Sequence, residues 1–285
     1  MSASRIAPPD PASVADDVSR ALAEDIGDDD ATSALLPAGV RSTMQLSVRE
    51  AAVLAGRDWF AGCFRALDPA VSLQWSAADG ERVTAGSMLC RVTGDVRALL
   101  GAERSALNFL QTLSATATRT ARYVEAVAGT RAVILDTRKT LPGLRQAQKY
   151  AVRCGGACNH RMGLFDAVLI KENHIVAAGG IAAAITAARR LRPGLPVEVE
   201  VESDAELEQA LAAAPDRIML DDFDLDGIAA AVRRVAGRVP LEVSGGVDLA
   251  RVRGIAETGV DFISIGALTK HVRAIDLSLR LLPPD

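Results

Sequence analysis

Six apolar runs dominate the second half of this chain: RAVILDT, DAVLIKENH, LPVEVEVES, DRIMLDDF, VPLEVSGG and DFISIGALT. Each is rich in Val, Ile and Leu, and Ala-rich stretches with helical spacing separate them. They end near Asp136, Lys171, Glu200, Asp221, Ser244 and Gly266, and the last three steps are 21, 23 and 22 residues, the length of one strand–helix unit. Strands this apolar are buried on both faces, which requires a parallel sheet covered by helices. The even recurrence, and a chemistry-bearing residue at each strand's C-terminal end, favour a barrel over an open sheet. Six strands are legible, and the HRMGL region or the chain end has room for another.

Upstream the rhythm differs. In VADDVSRALAEDI (14–26), Val14, Val18, Leu22 and Ile26 fall on one helical face. From about 40 to 100, alternating runs between Asp-Gly and Thr-Ala-Gly turns read as short strands and hairpins. AERSALNFLQTLSATATRTARYVEAVAG (102–129) reads as one long helix. The stretch ADGERVTAGSMLCRVTG is similar to part of a lipoyl or biotinyl carrier module, yet residues 50–130 hold no lysine to bear a prosthetic group.

Composition narrows the function. The chain has 285 residues and is 49% hydrophobic, enough to bury a large core. A net charge of −4 does not advertise a nucleic-acid partner. Four cysteines, Cys63, Cys90, Cys154 and Cys158, make no disulfide framework and point to a reducing compartment. Cys154, Cys158 and His160 are spaced like zinc ligands, but no second ligand pair accompanies them. The N-terminus lacks the apolar segment of a signal peptide and no run reaches membrane-spanning length, so the expected location is cytoplasmic.

Charge is distributed unevenly. Between Asp136 and His174 lie seven Lys/Arg and two His against three acids, an excess that implies a polyanionic ligand at the barrel mouth. Arg138, Lys139, His160, Arg161, Lys171 and His174 are the local donors, His174 being equally a helix cap. Ser244-Gly245-Gly246 and Gly266-Ala267 each close a strand and open a helix, so backbone N–H groups can point at an anion. Phosphate sites in barrels commonly use the last two such loops. Glu200 and Asp221 are either solvated turn acids or acids facing ribose hydroxyls or a hydrated Mg²⁺. Glu198, Glu200 and Glu202 alternate with valines, so all three point to one side of their strand and need cationic partners. Arg104, on the long helix, reads alone as a surface charge.

The string DTRKTLPGLRQAQKYAVRCGGACNHRMGLFDAVLIKENH, followed in order by VEVE, MLDD, EVSGG and ISIGALT, resembles the quinolinate phosphoribosyltransferase family, and EDIGDDDATSALLP resembles its N-terminal segment. The resemblance covers nearly the whole chain. It implies an α/β fold, a seven-stranded incomplete α/β barrel with an N-terminal α/β sandwich-like domain. The expected domains are 1–112, helical arm and sandwich, and 113–285, barrel, with the C-terminal tail returning to the first. It further implies condensation of quinolinate with phosphoribosyl pyrophosphate, using Mg²⁺, to nicotinate mononucleotide, pyrophosphate and CO₂ in NAD biosynthesis, by a homodimer without nucleic-acid or membrane partners.

By motif, Arg138, His160, Arg161 and Lys171 resemble the cationic pocket for quinolinate, and Arg104 the arginine given across the dimer. Lys139 resembles the lysine at the pyrophosphate end, and Glu200 and Asp221 the catalytic acids at the ribose and metal. Ser244, Gly245, Gly246 and Gly266 resemble the phosphate cradle. Asp222, Asp29 and Ala157 stand where Asn, Gly and Gly are usual, and Asp222 adds charge beside the metal-side acid. Three rival readings are a transferase for another pyridine acid, a non-catalytic phosphometabolite sensor, and a barrel lyase or isomerase with Asp136 or Glu200 as base. The density of cations argues against the last.

Overall fold

A computed structural model describes residues 6–37 and 39–283, and these divide into two compact units. The first runs to Ala121 and takes in Thr140–Gly156 and the chain from Leu268 onward. The second comprises Arg122–Lys139 and Ala157–Ala267.

The first unit contains α1 (Pro11–Ile26), β1 (Arg41–Val48), β2 (Ala52–Val53), α2 (Arg57–Leu67), β3 (Ser72–Trp75), β4 (Arg82–Val83), β5 (Met88–Asp95), most of α3 (Val96–Ala126) and α4 (Arg145–Cys154). Asp10 caps α1 by accepting from the N–H groups of Ala12 and Ser13, with Pro11 in the first turn where its missing N–H costs nothing. Val14, Val18 and Leu22 are buried, and α1 packs on α2. The Trp59 indole N–H donates to Asp17 at 2.9 Å, satisfying a carboxylate that is itself buried. Trp59, Phe60 and Phe64 are among the largest fully buried side chains, and burying each stabilises by about 1.5–3 kcal/mol.

The second unit is the strand–helix array. Its strands are β6 (Val133–Leu135), β7 (Val168–Ile170), β8 (Val197–Val201), β9 (Arg217–Asp221), β10 (Leu241–Ser244) and β11 (Phe262–Ser264). Its helices are α5 (Glu172–Ala178), α6 (Ile181–Leu191), α7 (Asp204–Ala213), α8 (Leu225–Val235) and α9 (Val252–Glu257). All six strands are parallel, in the order β6-β11-β10-β9-β8-β7. β6 and β7 are the two edges. Between them Cys158 makes a single parallel bridge to Leu135, so the expected seventh strand is reduced to one residue pair. The ladder stops there because Asn159 and the His160 N–H turn instead to the side chain of Asp136. HRMGL is a turn, closed by Asp166 accepting from the N–H groups of Met162 and Gly163.

After β11 come α10 (Ala267–Lys270) and β12 (Leu277–Leu281), which pairs antiparallel with β1, Met44 opposite Leu281, in the sheet β12-β1-β5-β3.

Candidate active site

Every expected site residue except Arg104 belongs to the second unit. Asp136, directly after β6, is fully buried and anchors the seam between the edge strands. Its Oδ2 accepts from Asn159 Nδ2 at 2.6 Å and its Oδ1 from the His160 N–H at 2.8 Å. Those bonds occupy the carboxylate, so it organises the loop and is not a free base.

Three groupings follow. In the first, Lys171 after β7 makes an ion pair with Glu200, whose side chain is only 5% exposed. Burial raises the Glu200 pKa, the Lys171 bond and charge oppose that, and the charge of Asp221 adds to it. Glu172, Glu200 and Glu202 bring carboxylate oxygens within ligand range of one another, a donor set of the kind Mg²⁺ accepts; Asp221, expected beside Glu200 as a ligand, is not in that group. The other metal-capable group among the described residues is His160, Glu198 and Glu242; neither includes Cys154 or Cys158.

In the second, Ser244 lies beside Asp221 in the β9–β10 register. Gly245 follows with φ +92° and Gly246 with φ +53°, backbone that L side chains rarely adopt. A Cβ on Gly245 would meet Asp222 Oδ1 at 2.5 Å and the Asp222 backbone nitrogen at 3.0 Å. Asp222 is itself left-handed, φ 55°, a conformation Asn and Asp tolerate best. A Cβ on Gly266 would stand 3.1 Å from Lys139 Cδ and 3.6 Å from Thr137 Oγ1, so this glycine lets the lysine stem lie against bare backbone.

The third gathers around His160 and Arg161. Both line a cleft of about 410 Å³ whose other walls include Pro196, Val197, Asp216 and Arg217, at the starts of β8 and β9. The sequence placed His160 and Arg161 with the strand-end ring; their side chains instead meet the unit from the seam. Burial and then the neighbouring Arg138 charge lower the Arg161 pKa. Arg138 leads directly to Lys139 and so to Gly266. Glu198, which also acts on Arg161, and Glu200 share one face of β8 and link this grouping to Lys171 and Asp221.

His174 serves the fold of α5. Its Nδ1 accepts from the Lys171 N–H at 3.0 Å, which fixes the first turn of α5. Arg104 is an exposed residue of α3. Sequence reasoning missed Arg217 and Glu242, an ion pair of 2.8 Å. The signal was an acid between apolar residues in β10, LEVS, and an arginine opening the apolar run of β9, RIMLD.

Known proteins match this chain in sequence and fold. The model of the quinolinate phosphoribosyl transferase N-terminal domain matches residues 29–114, and that of the C-terminal domain residues 116–280. The chain belongs to the quinolinate phosphoribosyltransferase family. It is 44% identical over 276 residues to the nicotinate-nucleotide pyrophosphorylase [carboxylating] of Mycobacterium leprae, covering 93% of this chain and 96% of that one. It is 39% identical over 284 residues to quinolinate phosphoribosyltransferase [decarboxylating] 1b of Nicotiana tabacum, covering 92% and 80%. The structure of the Francisella tularensis nicotinate-nucleotide pyrophosphorylase superposes with a TM-score of 0.92 at 46% identity, covering 97% of this chain and 99% of that one.

Proposed function

We propose that this member of the family transfers the phosphoribosyl group of phosphoribosyl pyrophosphate to the ring nitrogen of quinolinate, with loss of CO₂, giving nicotinate mononucleotide and pyrophosphate for NAD biosynthesis. The observation that supports the reading is a set of cations, acids and glycine turns within one unit. Lys171 pairs with Glu200 beside Asp221, whose carboxylate stands against the Gly245 turn; Lys139 lies against Gly266, and Arg161 with Arg138 forms the third grouping. A dicarboxylate and a phosphorylated sugar both need cations, and ribose needs acids; few other substrate pairs need both.

The roles follow from charge. Arg138, Arg161 and Lys171 hold the two carboxylates and aim the pyridine nitrogen at the anomeric carbon, so positioning carries much of the rate, while His160, its ring taken up by Glu198 and the Arg161 N–H, orients Arg161 where the sequence had placed it on the substrate. Positive charge develops on the ribose as pyrophosphate departs, and Glu200 and Asp221 stabilise it. Lys139 offsets charge on the leaving group, while Ser244, Gly245, Gly246 and Gly266 cradle phosphate. Once the ring nitrogen is cationic, the adjacent carboxylate leaves as CO₂ and its electron pair remains beside that nitrogen. The carboxylate oxygens of Glu200 and Asp221 would hold Mg²⁺, which supplies charge to the pyrophosphate when bound.

We further infer a homodimer in which Arg104 enters the partner's site, and domains meeting near residue 112. The inferred location is cytoplasmic, supported by four free cysteines and by the lack, among the described residues, of a helix long and apolar enough to cross a membrane. Purified protein with Mg²⁺ and phosphoribosyl pyrophosphate should form nicotinate mononucleotide from quinolinate and leave nicotinate and nicotinamide unchanged. Turnover of nicotinate instead would reassign the substrate.

A further inference from the structure

Beneath the proposed site, four ionisable side chains meet inside the barrel. Glu242 on β10 is fully buried, and Glu198 on β8 is 6% exposed. His160 Nε2 lies between them, 3.0 Å from Glu198 Oε2 and 3.5 Å from Glu242 Oε1. Arg217 on β9 donates to Glu242 Oε2 at 2.8 Å, and its guanidinium lies 4.0 Å from the centre of the Phe262 ring on β11. Side chains of β8 and β10 thus flank one imidazole of the seam loop, with Arg217 of β9 behind Glu242 and Phe262 of β11 under Arg217.

The donor set resembles a cation site, but the imidazole argues otherwise. Nδ1 accepts from the Arg161 backbone N–H at 2.7 Å. With that lone pair used, the neutral ring carries its proton on Nε2, the atom a metal would need. Burial disfavours a charged imidazole, while the Glu198 bond and the Glu242 and Glu198 charges outweigh it and raise the pKa. A second proton on Nδ1 would set two N–H groups face to face, so the resting form assigned from these partners is the Nε2–H tautomer. Glu198 Oε2, at 3.0 Å, is the carboxylate oxygen in reach of that proton, and Glu242 Oε1 stands farther off at 3.5 Å.

We propose that Glu198 and Glu242, the latter held by Arg217, are positioning residues that fix the His160 ring and, through the 158–161 loop, the Arg161 head. Backbone pairing at the seam ends at Cys158, whose N–H donates to the Ile134 carbonyl and whose carbonyl accepts from the Asp136 N–H; the Asp136 carboxylate takes Asn159 and the His160 N–H, and Glu198 and Glu242 flank the imidazole beyond them. They touch no substrate and act through His160. The proposal rests on the function proposed above only for its kinetic consequence.

Nitrogen-15 NMR of the histidine-labelled full chain tests it, because the sequence has only three histidines and His160→Asn assigns the signal. In the unliganded protein, His160 should show one slowly exchanging Nε2–H tautomer; an Nδ1–H form or a tautomer average overturns the proposal. Glu198→Leu keeps the tautomer, which the Arg161 N–H sets, but should make the Nε2–H exchange with water about tenfold faster or more and raise the KM for quinolinate about tenfold, leaving that for phosphoribosyl pyrophosphate unchanged, and Glu198→Gln, whose amide oxygen still accepts, should restore both. Equal changes in both KM values, or a Gln variant no better than Leu, also overturn it. The spectrum needs no turnover, so an inactive protein would refute the function and leave this test standing. If Glu198→Leu does not fold, the wild-type tautomer and the Gln variant decide.

Discussion

Gly245 and Glu200 show how single residues bind the site to the fold. Any Cβ at Gly245 collides with Asp222, backbone included, and must also adopt φ +92°. Gly245→Ala is therefore expected to destabilise by about 1–3 kcal/mol and to raise the KM for phosphoribosyl pyrophosphate more than that for quinolinate. Thermal melting and steady-state kinetics check the two parts. Glu200 pulls the other way. Its raised pKa means the folded protein holds that proton more tightly than the unfolded chain does. The associated stability is present below the unfolded pKa and lost as pH rises through the folded one. Glu200→Gln should thus gain stability relative to wild type as pH rises through that window, while kcat falls by about a hundredfold or more. A variant that keeps its activity would remove Glu200 from the chemistry.

At the scale of elements, the strand ends were legible and the spaces between them were not. Val-, Ile- and Leu-rich runs bounded by Asp136, Lys171, Glu200, Asp221, Ser244 and Gly266 became six parallel strands because two-faced burial leaves an unmistakable pattern. The seam was not legible. Cys158 pairs with Leu135 through backbone alone, and the Asp136 bonds that replace a seventh strand join residues 23 and 24 apart. Nor was α2 foreseen within the strand region of residues 40–100. DWFAGCFRAL buries Trp59, Phe60 and Phe64 by tertiary packing, which overrides any local strand rhythm. Removing the seam anchor with Asp136→Ala should cost about 2–3 kcal/mol, because the Asn159 amide and His160 N–H lose their acceptor. Denaturant unfolding measures it. Inside the barrel, burial and then the Glu198 charge raise the Glu242 pKa to about 7. The stability tied to its proton is present below pH 4.5 and lost as pH rises towards 7. Glu242→Gln should flatten the stability curve between those limits; an unaltered curve would show that the proton is held elsewhere.

At the scale of the whole molecule, the remaining question is what completes the site. Arg104 lies outside the unit that holds every other expected site residue, and nothing in its own sequence neighbourhood separates it from a surface charge. Only the family resemblance singled it out. Arg104→Ala should leave the proposed dimer intact in sedimentation and abolish turnover, and mixing it with Glu200→Gln should restore activity, since hybrid dimers would then contain one complete site. Failure of the mixture, with hybrids demonstrated, would place Arg104 in its own subunit's chemistry. The central claim is that one electropositive site joins a phosphoribosyl donor to a pyridine dicarboxylate. A single assay recording CO₂ and pyrophosphate together, with quinolinate, phosphoribosyl pyrophosphate and Mg²⁺, tests it most directly. The account predicts equal amounts of both products, each dependent on quinolinate. Pyrophosphate without CO₂, or neither product from folded protein, would contradict it.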